Sequence, residues 1–299
     1  MRAVIGRSRM LTVAGALAVA GVALAGCSSQ ASPSLSPPPS AAPATESSSW
    51  QIALAALQHV HEVAFGGDGL LLATHQGVYT VDLDGGALAL TGAASFDAMG
   101  MAVTDAGVLA SGHPGEVTDD VFVAPNVGLI ADDGDAWRSI SLSGEVDFHA
   151  LTASADGTVV AGLPSGEAVV MHSVDGGVTW QRGAALEARD LVLAGDELIA
   201  TTADGPLRST DGGMTFTALE GAPLLVLVAS GSSGDLVGVD ATGAIVREDE
   251  GSWTTIGQIE GAAAGIAVAA DGSVVVVDDR GVVLSRDGGD VWQVLVPAR

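Results

Sequence analysis

The sequence predicts an all-β protein, a six-bladed β-propeller, from two observations. A short segment rich in Asp and Gly recurs along the chain, centred on Asp84, Asp133, Asp175, Asp211, Asp249 and Asp287. Steps of about 40 residues are typical of four-stranded propeller blades, so six segments predict six blades. Between them lie short runs of Val, Leu and Ala broken by Gly and Asp, and no long stretch has the period of a helix.

The first interval shows how a blade divides into strands. We predict four strands in it, at residues 59–65, 70–74, 78–82 and 87–90. The Asp-rich segments then occupy the turns between the third and fourth strands. Residues 50–52, Trp-Gln-Ile, resemble an additional outermost strand, because Trp180 and Trp292 are also followed by Gln. This extra strand either closes the ring against the C-terminal end or covers it, and the sequence leaves both alternatives open.

The composition excludes several classes of function. The 299 residues contain 36 Asp and Glu against 11 Lys and Arg, all of them Arg, for a formal net charge of −25. Such a polyanion is unsuited to nucleic acid, whose phosphates are bound by cationic side chains, and to non-specific adhesion to anionic lipid. A hydrophobic content of 48% is enough to build a core. The single Cys excludes a disulfide framework and a zinc site made of several thiolates.

The N-terminus has the organisation of an export signal. Three arginines precede an uncharged stretch at residues 10–25, which is shorter than the ~20 residues of a membrane-spanning helix. The stretch ends in Leu-Ala-Gly before Cys27 and resembles the lipobox of bacterial lipoproteins. The resemblance implies cleavage before Cys27 and attachment of diacylglycerol to its thiol. The alternative is an ordinary cleaved signal followed by an incidental Cys.

Three regions are therefore expected along the chain. Residues 1–27 form the signal peptide and lipobox, and residues 28–49, rich in Ser, Pro and Ala, form a disordered tether. Residues 50–299 form the propeller. The expected location is extracytoplasmic, with lipid at Cys27 anchoring the protein to the bacterial cell membrane.

Three of the Asp-rich segments superpose without gaps, at residues 173–180, 209–216 and 285–292. They resemble the Asp-box, or BNR, repeat, which has the pattern Ser-x-Asp-x-Gly-x-Thr-Trp. The resemblance implies structural roles for Asp175, Asp211 and Asp287, whose side chains would cap turn amides. It also implies that Gly supplies a positive φ and that the aromatic residue packs under a neighbouring strand.

Bacterial proteins that combine a lipobox with an Asp-box propeller are often labelled sialidase-like glycosyl hydrolases, and the resemblance covers residues 59–299. A sialidase requires three Arg, a Tyr nucleophile activated by a Glu, and an Asp acid. The single Tyr, Tyr79, is predicted on a third strand away from the axis, and only Arg189 and Arg280 are suitably placed. We therefore favour a non-enzymatic binding or assembly module with a protein or glycan ligand, and keep a sialidase-like glycoside hydrolase as the alternative.

The histidines fall at equivalent positions in different blades. Alignment on the turn between the first and second strands places one set at the start of the first strand: His61, Met99, His149, Arg189 and Ala264. A second set ends the second strand: His75, His113, Leu163, Ala203 and Asp278. Both positions lie near the axis on the face opposite the Asp-rich turns, here called the top face. We therefore expect a cluster on top of blades 1 to 3, formed by His59, His61, His75, Met99, His113 and His149.

A transition-metal site is one interpretation of this cluster. Imidazole with thioether suits copper, and imidazole with carboxylate suits zinc, nickel or iron. Asp97 and Asp147 stand two residues before Met99 and His149, hence on the same side of their strands. A polar pocket for an organic ligand or for pH sensing, and a purely structural network, remain the other interpretations. The sixth histidine, His172, is expected to pack locally on a third strand.

Overall fold

A computed structural model describes residues 54–57, 59–67, 69–92, 95–115, 122–132, 134, 136–231 and 234–299. In this part of the chain, 24 strands form six four-stranded antiparallel sheets, so the predicted six-bladed propeller is confirmed. A short 3-10 helix, Leu54–Leu57, precedes the first strand, and no helix in the described ranges is long and apolar enough to cross a membrane. Cys27, the tether and the segment 50–52 lie outside the described residues.

Each blade is built from four consecutive strands. Blades 1 and 2 contain β1 (Val60–Gly66), β2 (Gly69–Thr74), β3 (Gly77–Asp82), β4 (Leu88–Leu90), β5 (Phe96–Thr104), β6 (Gly107–Pro114), β7 (Leu129–Asp132) and β8 (Trp137–Ser141). Blades 3 and 4 contain β9 (Phe148–Ala153), β10 (Val160–Pro164), β11 (Met171–Ser173), β12 (Gln181–Arg182), β13 (Asp190–Ala194), β14 (Glu197–Thr201), β15 (Leu207–Ser209) and β16 (Thr217–Ala218). Blades 5 and 6 contain β17 (Leu225–Ser230), β18 (Leu236–Asp240), β19 (Ala244–Asp249), β20 (Ser252–Gln258), β21 (Gly265–Val268), β22 (Val274–Asp278), β23 (Gly281–Ser285) and β24 (Gln293–Pro297).

The ring is closed by packing between blades 6 and 1. Every blade supplies its own four strands, and neither end of the described chain lends a strand to the other blade. Leu57, Val60 and Leu70 share a buried cluster with Val275 and Val282, which removes apolar surface of both blades from water. In addition, Nη2 of Arg286 donates a hydrogen bond of 2.7 Å to the carbonyl of Leu83.

The hydrophobic core is divided among the contacts between neighbouring blades. Val237 and Ile245 of blade 5, for example, form one cluster with Val274 and Val276 of blade 6. Strand β22 is buried at all five of its positions, because it lies inside a blade with both faces covered. The short Val, Leu and Ala runs of the sequence are therefore needed to pack blades against each other.

The three repeated turns, at residues 173–180, 209–216 and 285–292, share one hydrogen bond made by the aspartate. In each turn, Oδ1 of the aspartate accepts from the backbone N–H four residues later, at 2.8, 2.9 and 2.9 Å for Asp175, Asp211 and Asp287. The first two aspartates also accept from a Thr hydroxyl at 2.6 Å. These hydrogen bonds lower the pKa of Asp175 and of Asp211 to about 2, because they stabilise the charged form.

The aromatic residue after each turn reaches the preceding blade. Nε1 of Trp180 donates to Oγ of Ser141 at 3.0 Å, and Nε1 of Trp292 donates to the carbonyl of Ile256 at 3.1 Å. Trp137 makes the equivalent bond to the carbonyl of Thr91 at 3.3 Å. Indole N–H groups of this kind join the outer strands of successive blades.

Replacing Asp175 or Asp211 by Asn should lower the melting temperature of the full-length protein by a few degrees at neutral pH. A carboxylate whose pKa is depressed stabilises the folded state above its ordinary pKa, and that stability is lost as the pH falls through the folded-state value. The difference from wild type should therefore shrink below about pH 4 and vanish only below about pH 2. Thermal unfolding followed by circular dichroism across this range measures it.

The matched control is Asp204→Asn, which changes an exposed turn aspartate and should leave the melting temperature unchanged at every pH. A destabilisation of the Asp175 or Asp211 variant that is constant across the acid range would show that the carboxylate charge is not the stabilising feature.

Candidate functional site

The first strand of each blade contains an extra residue near its start. The pairing of β1 with β2 and of β5 with β6 is interrupted at His61 and at Met99, and β9 is interrupted at His149. In blades 4 and 6, the backbone N–H groups of Arg189 and Ala264 each donate to the carbonyl of the residue that pairs with the following position of the strand. Two residues therefore lie opposite one, so these blades also have an extra residue. Such a β-bulge re-aims the side chain of the extra residue. The position aligned in the sequence is therefore a bulge at the top face.

The second aligned position needs one correction in blade 3. His75 donates its N–H to the carbonyl of His59, and His113 is opposite Asp97. In blade 3, Ser165 donates its N–H to the carbonyl of Asp147, so Ser165 and not Leu163 is the equivalent residue.

The error has a simple origin in the length of one turn. Residues 154–159 separate β9 from β10, whereas only two residues separate β1 from β2, so alignment on Gly157 displaced the register by two residues. Leu163 pairs with Ala150 and is buried in the core. In blade 6 the turn is also longer, and Asp279 takes the place predicted for Asp278.

Two histidines of blade 1 meet an aspartate of blade 2. Oδ1 of Asp97 lies 2.8 Å from Nδ1 of His75 and 3.4 Å from Nε2 of His61, and these two nitrogens are 3.5 Å apart. Ligand atoms around a tetrahedral ion with bonds of about 2.05 Å are about 3.3 Å apart. Among the described residues, this is the one group of three His, Cys, Asp or Glu side chains close enough to hold a metal ion.

The environment of these three side chains suits ligation. The side chains of His61 and Asp97 are 15% and 24% exposed, whereas that of His75 is 38% exposed, so the group is partly buried and accessible from solvent. Burial lowers the pKa of His61 to about 4, and the neighbouring histidines add to the shift while Asp97 opposes it. His61 is therefore neutral near pH 7, with a ring nitrogen able to bind a metal.

His59 belongs to the same cluster. Its ring centroid lies 5.0 Å from that of His61 and 5.8 Å from that of His75. Its position in the chain is equivalent to that of Asp97 in the next blade, two residues before the bulge. His59 is exposed, so its side chain is placed to approach an ion from the solvent side.

The other predicted residues lie around the cluster and not within it. Nε2 of His113 lies 3.0 Å from Oδ2 of Asp147, which repeats the contact of His75 with Asp97 one blade further on. His149 contacts Oγ of Ser165 through its Nε2 at 3.1 Å. Met99 occupies the bulge of blade 2 and is half-buried. The structure thus brings together three of the six predicted residues, His59, His61 and His75, and adds Asp97.

A central cavity of about 500 Å³ opens beside the cluster. It is lined by the first strands of all six blades and includes His61, His149 and Arg189. Two further residues in it were not predicted as site residues, Glu62 and Asp190. Each directly follows a bulge residue, a position that the structure reveals and the sequence alone does not.

These acids hydrogen-bond to the backbone of adjacent blades. Oε2 of Glu62 accepts from the N–H of Met101 at 2.7 Å, and Oδ2 of Asp190 accepts from the N–H of Val228 at 2.8 Å. Burial raises the pKa of both carboxyl groups, and the charge of Asp190 raises the pKa of Glu62 further.

The residues considered for glycoside hydrolysis are dispersed. Tyr79 is 6% exposed in the core of blade 1. Four of the arginines lie on third or fourth strands, away from the cavity: Arg138, Arg182, Arg208 and Arg247. Arg280 is tied to Asp278, with 2.6 Å between Nη2 and Oδ2. Within the described ranges, only Arg189 is left facing the central cavity.

Propellers of known structure are similar to this chain. A GH74 enzyme of Niastella koreensis shares 20% identity at a TM-score of 0.55, over 78% of this chain and 37% of that one. The GH74 xyloglucanase of Xanthomonas campestris shares 17% identity at a TM-score of 0.51, over the same two fractions. A chain of a nidogen/laminin complex shares 13% identity at a TM-score of 0.55, over 73% of this chain and 89% of that one.

These similarities show the propeller fold and nothing more specific. The chain spans 37% of the length of the two GH74 structures. Comparison with protein-family models and with curated protein sequences finds no match.

Replacing Asp190 by Asn removes the ionisable group and keeps a carbonyl oxygen for the N–H of Val228. Because burial raises the pKa of Asp190, the folded state favours the neutral form, and wild type loses stability as the pH rises through the raised value. As the pH rises above the ordinary pKa of an aspartate, about 4, the melting temperature of wild type should therefore fall by a few degrees more than that of the variant.

Thermal unfolding of the full-length protein at a series of pH values measures this difference. Glu220→Gln is the control, because Glu220 is exposed and its replacement should leave the pH profile of wild type unchanged. Parallel profiles for wild type and Asp190→Asn would mean that Asp190 is ionised in the folded protein.

Proposed function

We propose that this protein is a non-enzymatic, extracytoplasmic binding module that holds a transition-metal ion on the top face of its propeller. The ligands are His61 and His75 of blade 1 and Asp97 of blade 2. The observation that carries the proposal is the convergence of these three donor atoms within 2.8–3.5 Å of one another.

The type of donor narrows the choice of metal. Two imidazole nitrogens and one carboxylate oxygen suit zinc or copper(II), and are too soft a set for magnesium or calcium. His59 is the candidate for a fourth protein ligand. The net charge of −25 supports the proposal, because a negative surface potential raises the local concentration of cations.

Replacing His61 and His75 together by Ala should abolish metal binding. We expect wild type to bind Zn(II) or Cu(II) with a dissociation constant below about 10⁻⁵ M. The double variant should bind about 100-fold more weakly or not at all, because it loses both of the imidazole donors that converge with Asp97. Isothermal titration of the tag-free, full-length protein in detergent, together with elemental analysis after purification, measures both.

His172→Ala is the matched control and should bind metal as wild type does. His172 lies in blade 3, and its ring packs closely against the turn at Gly212. A Cβ added to Gly212 would lie only 2.8 Å from that ring. Circular dichroism should show that both variants retain the all-β fold. If wild type and the double variant bind equally, or neither binds below that limit, the cluster is a structural network and the proposal fails.

The proposed location follows from the resemblance of residues 24–27 to a lipobox. Replacing Cys27 by Ser removes the thiol that would carry the lipid, so the protein should move from the membrane fraction to the soluble fraction. Cell fractionation followed by immunoblotting measures this change. Continued sedimentation of the Cys27→Ser variant with membranes would disprove the lipid anchor and leave the metal site unaffected.

A further inference from the structure

A second pair of histidine and aspartate lies on the top face, one blade beyond the proposed metal site. In that site, His75 at the end of a second strand lies 2.8 Å from Asp97, which precedes the bulge of the next blade by two residues. His113 and Asp147 occupy the same positions in blades 2 and 3, with 3.0 Å between Nε2 and Oδ2. The proposed function makes no use of this second pair.

The atoms of the second pair are close without being hydrogen-bonded. An N–H on Nε2 of His113 would not point at Oδ2 of Asp147, so that oxygen accepts no hydrogen bond from the described residues. Nδ1 of His113 donates to the carbonyl of Pro125 at 3.2 Å. The neutral imidazole then has its lone pair on Nε2. This lone pair and a carboxylate oxygen 3.0 Å away repel each other unless a cation binds to both.

The aspartate of the second pair is the more deeply buried of the two. The side chain of Asp147 is 2% exposed, against 24% for Asp97. A buried carboxylate is costly unless a positive charge compensates it, and His113 in its neutral form supplies none. The side chain of His113 is 41% exposed, so an ion can reach the pair from solvent.

Met99 is placed to supply a third donor. The residues on either side of this bulge pair with the two residues that precede His113, in the same register as those around His61 pair with the two that precede His75. In blade 1 this register leaves ring nitrogens of His61 and His75 3.5 Å apart. The position of Met99 relative to His113 is therefore equivalent to that of His61 relative to His75.

We infer that His113, Asp147 and Met99 form a second metal site on the top face, and that this site binds Cu(I). A thioether sulfur is a soft donor that selects Cu(I), and imidazole also binds copper. One carboxylate and one Cu(I) are neutral together, which lowers the cost of burying Asp147. The site shares no ligand with the first cluster, so the inference does not depend on an ion there.

The test is an anaerobic titration of the full-length protein in detergent with Cu(I), with a coloured Cu(I) chelator as competitor. The starting protein is the His61→Ala, His75→Ala double variant, which lacks the first site. It should bind one equivalent of Cu(I) with a dissociation constant below about 10⁻⁶ M. Adding His113→Ala should weaken binding about 100-fold, because an imidazole donor is lost. His113 is exposed enough for its replacement to spare the fold, which circular dichroism verifies.

Met99→Leu, made in the same double variant, tests the third donor. It keeps an apolar side chain of similar size and removes the sulfur, so Cu(I) binding should weaken about tenfold. The sulfur neighbour of copper should disappear from the X-ray absorption spectrum. Met214→Leu is the matched control and should change neither result, because Met214 is exposed in one of the repeated turns.

Titration with Zn(II) measures the first site in wild type, so the two proposals fail separately. If the double variant does not bind Cu(I) within the stated limit, or His113→Ala leaves binding unchanged, the second pair is an imidazolium–carboxylate ion pair and the inference is overturned. Equal binding of Cu(I) by the double variant with and without Met99→Leu would overturn it as well. None of these outcomes affects the proposed site of His61, His75 and Asp97.

Discussion

The inner edge of each blade determines much of this structure. A first strand pairs with the second strand on one side only, so every other N–H of its other edge faces the central cavity without a strand partner. Three of these donors are satisfied by side chains of an adjacent first strand. Glu62 accepts from Met101, Thr152 accepts from Leu193, and Asp190 accepts from the N–H of Val228. Two of these three side chains, Glu62 and Asp190, therefore also bring buried carboxyl groups into the cavity.

The outer strands are joined by different chemistry. There the indoles of Trp180 and Trp292 donate to the preceding blade, and the aspartates of the repeated turns hold the backbone that positions them. Separation of these roles leaves the top face independent of the turns. His61, His75 and Asp97 lie at the opposite end of the strands, where neither the turns nor the blade cores depend on them.

The fold was predictable because its strongest signal is repeated and local. The Asp-rich segments recur at intervals of 36–49 residues, and each determines the conformation of its own turn. The register of the second strands was less predictable, since the turn before β10 has six residues and displaced Leu163 relative to Ser165. The contacts of Asp97 with His75 and of Asp147 with His113 cross from one blade to the next, so they depend on the ring and not on spacing within a blade. Glu62 and Asp190 could not be distinguished from ordinary surface acids in the sequence.

The bulges have a consequence for how such a protein can change over time. The extra residue of a first strand lies outside the alternation of buried and exposed positions, so its replacement alters neither the core pattern nor the pairing on either side. His61, Met99, His149 and Arg189 occupy such positions. The top face can therefore acquire or lose chemical groups one blade at a time while the strands beneath it stay the same. Propellers built in this way can diverge in the ligand they hold without diverging in fold.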